Sequence, residues 1–139
     1  MSMKILEKNN DLGLLLLRVT LSILMLFHGV SKLVYGADFI GQIVDGAGLP
    51  HFVTYGVYIG EVVAPLFILV GYATRIASAI YSFNMVVATL LVHASQFFTV
   101  NPETGGWTLE LQGLYFLAAL VLVFTGAGKY AVSKKQIWD

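Results

Sequence analysis

The chain has 139 residues, 58% of them hydrophobic and only 12% charged, with a formal net charge of zero. A water-soluble domain carries about a quarter of its residues as charges, so this composition excludes one and indicates an integral membrane protein of a single domain, residues 1–139. There is no cysteine, which removes disulfides, thiol nucleophiles and iron–sulfur ligation, and no basic tract long enough to hold nucleic acid.

A helix needs about 20 residues to cross a hydrocarbon core about 30 Å thick, and four segments qualify. The first is predicted over residues 12–35. Arg18 interrupts its apolar run, which closes on FHGVSKL, Phe27 to Leu33. No small-residue cleavage pattern follows, so the segment reads as a span that stays and not as a signal peptide. At 100° per residue, Arg18, Met25, His28 and Lys32 fall within one arc of about 80°. Residues 36–50 carry Asp38, Asp45, several glycines and a closing Leu49-Pro50, and are read as a break between spans.

The second span, 52–72, places Glu61 near the bilayer midplane, with Thr54, Tyr58 and Pro65 close to its azimuth. Gly56, Gly60 and Ala64 form a ridge of small residues that lets a neighbouring helix approach closely. GYATR, Gly71 to Arg75, is a tight turn that forces antiparallel neighbours. On the third span, 74–97, Arg75, Ser78, Ser82, Met85, Thr89, His93 and Gln96 follow steps of three and four and make one polar stripe; Asn84 lies opposite it. NPETGGW, Asn101 to Trp107, is a turn-rich connection ending in an interfacial tryptophan. The fourth span, 109–127, opens with Glu110, followed by Gln112 and Tyr115.

Lys4, Lys8, Arg75, Lys129, Lys134 and Lys135 fall on the side shared by the termini and the short turn, which places both termini in the cytoplasm. The expected fold is all-α: a transmembrane antiparallel four-helix bundle. Ionisable groups in a bilayer are costly unless paired, so they should face the bundle interior. Arg18 and Lys32 are expected to be neutralised by Glu61 and Glu110 across helix boundaries. Simpler roles stand beside these: Arg75 as a topology anchor, Lys32 snorkelling outward, Glu110 serving the helix dipole, and His28 and His93 bonding between helices.

LLLRV (Leu15 to Val19), HGVSKL (His28 to Leu33), the mid-span Glu61, GYATR, the glutamate opening span four and TGAGKY (Thr125 to Tyr130) together resemble the DoxX/DoxD-like family of small membrane proteins, over about residues 10 to 133. The motif positions match at Arg18, Gly29, Lys32, Glu61, Gly71, Arg75 and Glu110. The resemblance implies four membrane helices. The family takes its name from a thiosulfate:quinone oxidoreductase, and other members are linked to oxidoreductase complexes or to catechol and quinone stress.

Two functions from different classes follow. The first is a quinone-associated oxidoreductase subunit in a bacterial inner (plasma) membrane. Its expected catalytic groups are Glu61, His28, Lys32 and Glu110, with Arg18, Met25, Tyr58, Met85 and His93 expected around a bound quinone. Lys32 or His28 would bond a carbonyl oxygen, and Glu61 or Glu110 would move the proton. The chain has no flavin motif, so electrons need a soluble or membrane oxidoreductase partner. His28 and His93 lie near one depth, as bis-histidine haem would require, yet the family pattern does not call for haem and no metal site is expected. The second function is a non-enzymatic anchor, assembly factor or chaperone-like partner of another complex. A homo-oligomer through the small-residue ridge is compatible with either. A small-solute carrier is disfavoured, because no internal repeat or broken helix is evident.

Overall fold

The computed structural model describes residues 7–139; Lys4, used in the charge argument, lies outside the described residues. Those residues form five helices: α1 (Asn10–Tyr35), α2 (Asp38–Gly46), α3 (His51–Val70), α4 (Thr74–Val92) and α5 (Glu110–Thr125). Among them there is no β-strand, only an isolated antiparallel bridge between Val100 and Trp107 in the α4–α5 connection. Three helices, α1, α3 and α4, are long and apolar enough to cross a membrane. At about 1.5 Å per residue, the 16 residues of α5 reach about 24 Å, short of the core thickness.

Helix α1 begins where Asn9 accepts a hydrogen bond from Leu12 N at 3.0 Å and Asp11 enters the first turn, a side-chain cap that suits the helix dipole. It ends at Gly36, whose φ of +88° only glycine adopts freely.

Residues 36–50, read from the sequence as a break between spans, contain the short helix α2, which that reading did not foresee. The glycines concealed an amphipathic helix whose Ile40, Ile43 and Val44 share one face; Val44 is fully buried. Gly41 faces His51 and Thr54, so its missing side chain lets α2 lie against the start of α3.

Helix α3 is wound three ways: a 3₁₀ turn at His51–Tyr55, a π turn at Ile59–Val63, and a regular α segment from Ala64 to Val70. Pro65 has no N–H to offer the Glu61 carbonyl four residues back. The ladder widens there, and Ala64 N–H bonds Ile59 O five residues away. Such single π turns are frequent at functional sites.

The third span was expected to run to residue 97, but α4 stops at Val92 and His93 caps it. Beyond it, Trp107 Nε1 donates to Phe97 O at 2.6 Å and Thr99 bonds Thr108, which ties the connection to α5 into a hairpin-like loop.

Helices α1, α3, α4 and α5 share one core, built from Leu21, Met25, Ala64, Ile68, Ala77, Tyr81, Met85, Tyr115, Ala119 and Leu122. The stripe on α4 faces inward as expected through Ser78, Ser82 and Met85, all buried. Phe27, Phe83, Leu114 and Phe124 point outward and are well exposed, the arrangement a lipid environment favours.

The residues after α5 fold back under the α3–α4 turn. Val132 N and Ser133 N donate to Val70 O and Gly71 O, both at 3.1 Å. Asp139 Oδ1 accepts from Ala73 N, a non-glycine residue at φ +47°.

Candidate functional site

The best-defined side-chain contact between α1 and α3 is an ion pair. Lys32 Nζ lies 2.6 Å from Glu61 Oε2, with side-chain exposures of 22% and 8%. Lys32 stands in the last turn of α1, and Glu61 projects from the π turn of α3. Gly29, one turn before Lys32, sets the approach: the Glu61 backbone packs so closely against it that no Cβ would fit. Tyr58, one turn before Glu61, donates its hydroxyl to the Lys32 carbonyl at 3.2 Å. Backbone contact, hydroxyl and ion pair thus fix the register of α1 on α3 at one point.

Two cavities meet at this pair. One, of about 450 Å³, opens between the end of α1 and the start of α2 and is lined by His28, Ser31, Lys32 and Phe39 among others. The other is an apolar cleft of about 440 Å³ between α2, α3 and α4, in which Glu61 and Asn84 are the polar side chains. Ile40 of α2 borders both. Lys32 therefore faces the more polar space and Glu61 the more apolar one. Lys32 has three N–H donors and uses one here; Glu61 Oε1 makes no hydrogen bond among the described residues. Each partner thus keeps hydrogen-bonding positions open: Lys32 can donate to a further oxygen atom and Glu61 Oε1 can accept a further bond while the contact between them stands.

The other expected site residues divide. His28 is exposed on the rim of the cavity between α1 and α2, its ring edge-on to Tyr115 at 6.3 Å between centroids. Met25 and Met85 are buried in the core, and Tyr58 bonds as described. His93 lies at the end of α4, half-buried, with Nδ1 2.9 Å from Gln96 Oε1. Glu110 is exposed in the first turn of α5, its carboxylate folded over Gly106. Glu110 and His93 therefore belong to the α4–α5 end and are not joined to the Lys32–Glu61 pair by any hydrogen bond.

Arg18 requires a correction, because it pairs with no carboxylate. The residue is 1% exposed, and its guanidinium donates to four backbone carbonyls: Ile68 and Leu69 at 2.9 Å each, Ala127 at 3.2 Å, and Tyr130. These carbonyls belong to the end of α3 and to the tail after α5, where helix ends leave acceptors unsatisfied. Arg18 is thus a clasp between α1, α3 and the tail. Arg75 acts similarly, donating to Val123 O at 2.7 Å and Ile137 O at 2.8 Å. Only Lys32 and Glu61 realise the expected cross-helix charge pairing. No cluster of three or more potential metal-ligating side chains occurs among the described residues.

Two features of the site escaped the sequence reading. One is α2, whose apolar face completes both cavities; its Ile40, Ile43 and Val44 spacing was the available signal. The other is Asn84, set aside because it lay off the stripe.

The DoxX family model matches residues 13–94, which include Arg18, Lys32 and Glu61. A protein of Bacillus subtilis (strain 168) named "Putative oxidoreductase CatD" is 31% identical over 126 residues, covering 86% of this chain and 93% of that protein. A Haemophilus influenzae protein, named only as uncharacterized, is 31% identical over 137 residues, covering 94% of this chain and 95% of its own length. No solved structure matches the chain.

Proposed function

The chain belongs to the DoxX family, and from that premise we propose that it is the membrane subunit of a quinone-linked oxidoreductase in a bacterial inner membrane. In this reading α1, α3, α4 and α5 all cross the bilayer as an antiparallel bundle with both termini cytoplasmic. The lysine-bearing tail beneath the α3–α4 turn supports that orientation, and the relative named as an oxidoreductase supports the reaction class.

The observation that carries the proposal is the part-buried Lys32–Glu61 pair set between the cavity beside α1, which also holds His28 and Ser31, and a more apolar cleft. A quinone, when bound, supplies a couple that takes up two electrons and two protons. The electrons come from a partner oxidoreductase subunit; this chain handles the protons. Lys32, which lines the cavity beside α1 and not the cleft, holds Glu61 in place and keeps two N–H groups free toward that cavity. Glu61 carries protons between that cavity, where His28 stands on the rim, and the cleft. The apolar walls keep water from the ring. Met25 and Met85 support the adjoining core without touching the ring, and Tyr58 holds Lys32 in place through its carbonyl.

Glu61→Gln keeps the side chain's shape and removes its charge. In membranes containing the partner enzyme, this variant is expected to lose quinone-linked turnover while eluting as a folded protein in mild detergent. Turnover at the wild-type rate would remove Glu61 from the mechanism.

A further inference from the structure

Asn84 lies on the face of α4 opposite the polar stripe, and that face is a wall of the α2–α3–α4 cleft. Its carboxamide lies directly over Gly60. A Cβ at position 60 would overlap Asn84 Cβ, Cγ and Oδ1, so the glycine makes the room the amide occupies. Asn84 Nδ2 is buried and has no hydrogen-bond partner among the described residues; the hydroxyls of Ser22, Thr54, Thr74, Ser78 and Ser82 share that condition, but of these six side chains only Asn84 lines the cleft. An unpaired amide N–H is unfavourable in any protein interior and more so at membrane depth. Leucine would fill such a position without that cost. The Asn84 side chain is only half-buried while its Nδ2 is turned inward, so rotation of the carboxamide about its last torsion presents the donor to an acceptor that enters the cleft.

The cleft limits what that acceptor can be. Its volume of about 440 Å³ falls within the roughly 300–1,000 Å³ of ligand sites. Apart from Asn84 and Glu61, its lining consists of apolar side chains and glycine, including Val57, Phe83, Val87 and Leu91. Lys32 already balances Glu61 and the cleft has no other charged side chain, so neither a cationic nor an anionic ligand has an unpaired opposite charge to meet there. The remaining class is a neutral, hydrophobic molecule carrying an exposed carbonyl oxygen. Resting on the quinone reading above, we infer that Asn84 is the ring-anchoring residue: its Nδ2 donates to one quinone carbonyl, and this contact distinguishes a quinone from a bare hydrocarbon of the same size.

The test measures equilibrium binding to the purified protein in nanodiscs, with decylubiquinone and the carbonyl-free decylbenzene as probes. Wild-type protein is expected to bind decylubiquinone at least tenfold more tightly. Asn84→Leu should erase that preference while leaving thermal unfolding unchanged or raised, since no donor is then left unpaired. Should the leucine variant not fold, Asn84→Ala removes the amide without adding bulk and is expected to behave the same way. Gly60→Ala, which displaces the amide, should reduce the preference in part. Equal binding of the two probes by the wild type, or full preference in the Asn84 variants, overturns the assignment. The outcome is separable from that for Glu61. Full preference in Asn84→Leu, with turnover lost in Glu61→Gln, sinks the anchoring role alone. Lost preference with unimpaired Glu61→Gln turnover upholds the anchor and sinks the proton role.

Discussion

A double-mutant cycle at Lys32 and Glu61 gives the sharpest physical test of the site. Unit charges about 4 Å apart at an effective dielectric constant near 20 attract by about 4 kcal/mol. Desolvation offsets part of that, leaving a coupling of about 2–3 kcal/mol for a pair buried to this degree. The two single variants should not be equal. Lys32→Met strands Glu61, the more buried partner with 8% of its side chain exposed, and should cost about 4 kcal/mol, within the range for breaking a buried pair. Glu61→Gln strands Lys32, which is 22% exposed and can extend into the cavity beside α1, so about 1.5 kcal/mol is expected. The double variant leaves no unbalanced charge and should cost about 3 kcal/mol, well below the singles combined. The implied coupling of about 2.5 kcal/mol is about a 60-fold effect on the folding equilibrium. Reversible unfolding by sodium dodecyl sulfate in mixed micelles, followed by circular dichroism, measures it. If the single costs add to within about 0.5 kcal/mol, the pair is not energetically coupled, and a proton site built on it loses its basis.

Removing the Arg18 clasp should destabilise the chain at its other end. Arg18→Met strands four carbonyls and should cost about 3–5 kcal/mol, with limited proteolysis cutting the tail after α5 far sooner; Arg18→Lys, with fewer donors and no fork, should recover only part. The tail should also respond to acid. Asp139 is held below its ordinary value of 3.8 first by the Ser133 hydroxyl and then by backbone N–H groups of Gln136, Ala73 and Lys135. A carboxyl whose folded pKa is depressed contributes its full stability above the unfolded value and loses it as pH falls through the folded one. Tail protection should therefore hold at neutral pH and decline only below about pH 4, a decline that Asp139→Asn should abolish. Protection unchanged down to strong acid would show that the carboxylate does not hold the tail.

The long helices were legible because they depend on local properties: apolar length for α1, α3 and α4, and three-and-four spacing for the inward stripe on α4. The Lys32–Glu61 pair was legible because a membrane interior leaves a mid-span charge few options. The failures share a different cause. Helix α2 is too short to span and rich in glycine, so only its apolar face, packed against α3 and α4, makes it a helix. The carbonyl partners of Arg18 are main-chain atoms exposed where helices end, and a search confined to side-chain charges does not find them. Asn84 was discounted by a rule that one helix has one inward face, whereas α4 meets α5 on one side and the cleft on another. His93 and Glu110 sit where the helix ends fall, and those ends were the least certain part of the reading.

Hydrogen-bond saturation separates the structural polar groups from those available for chemistry. Arg18 directs Nε, Nη1 and Nη2 into four bonds to fixed carbonyls. A guanidinium so engaged, and always charged, has little left with which to accept a proton or recognise a ligand. Lys32 makes one side-chain hydrogen bond out of three, Glu61 leaves an oxygen unused, and Asn84 Nδ2 makes none. This spare capacity borders two cavities, whereas the charged groups Arg18 and Asp139 at the tail end are bonded through. Stability favours satisfying every buried polar group. A site that exchanges protons and binds a carbonyl must leave some of them unsatisfied in the protein alone, and Lys32, Glu61 and Asn84 at the borders of the two cavities meet that requirement.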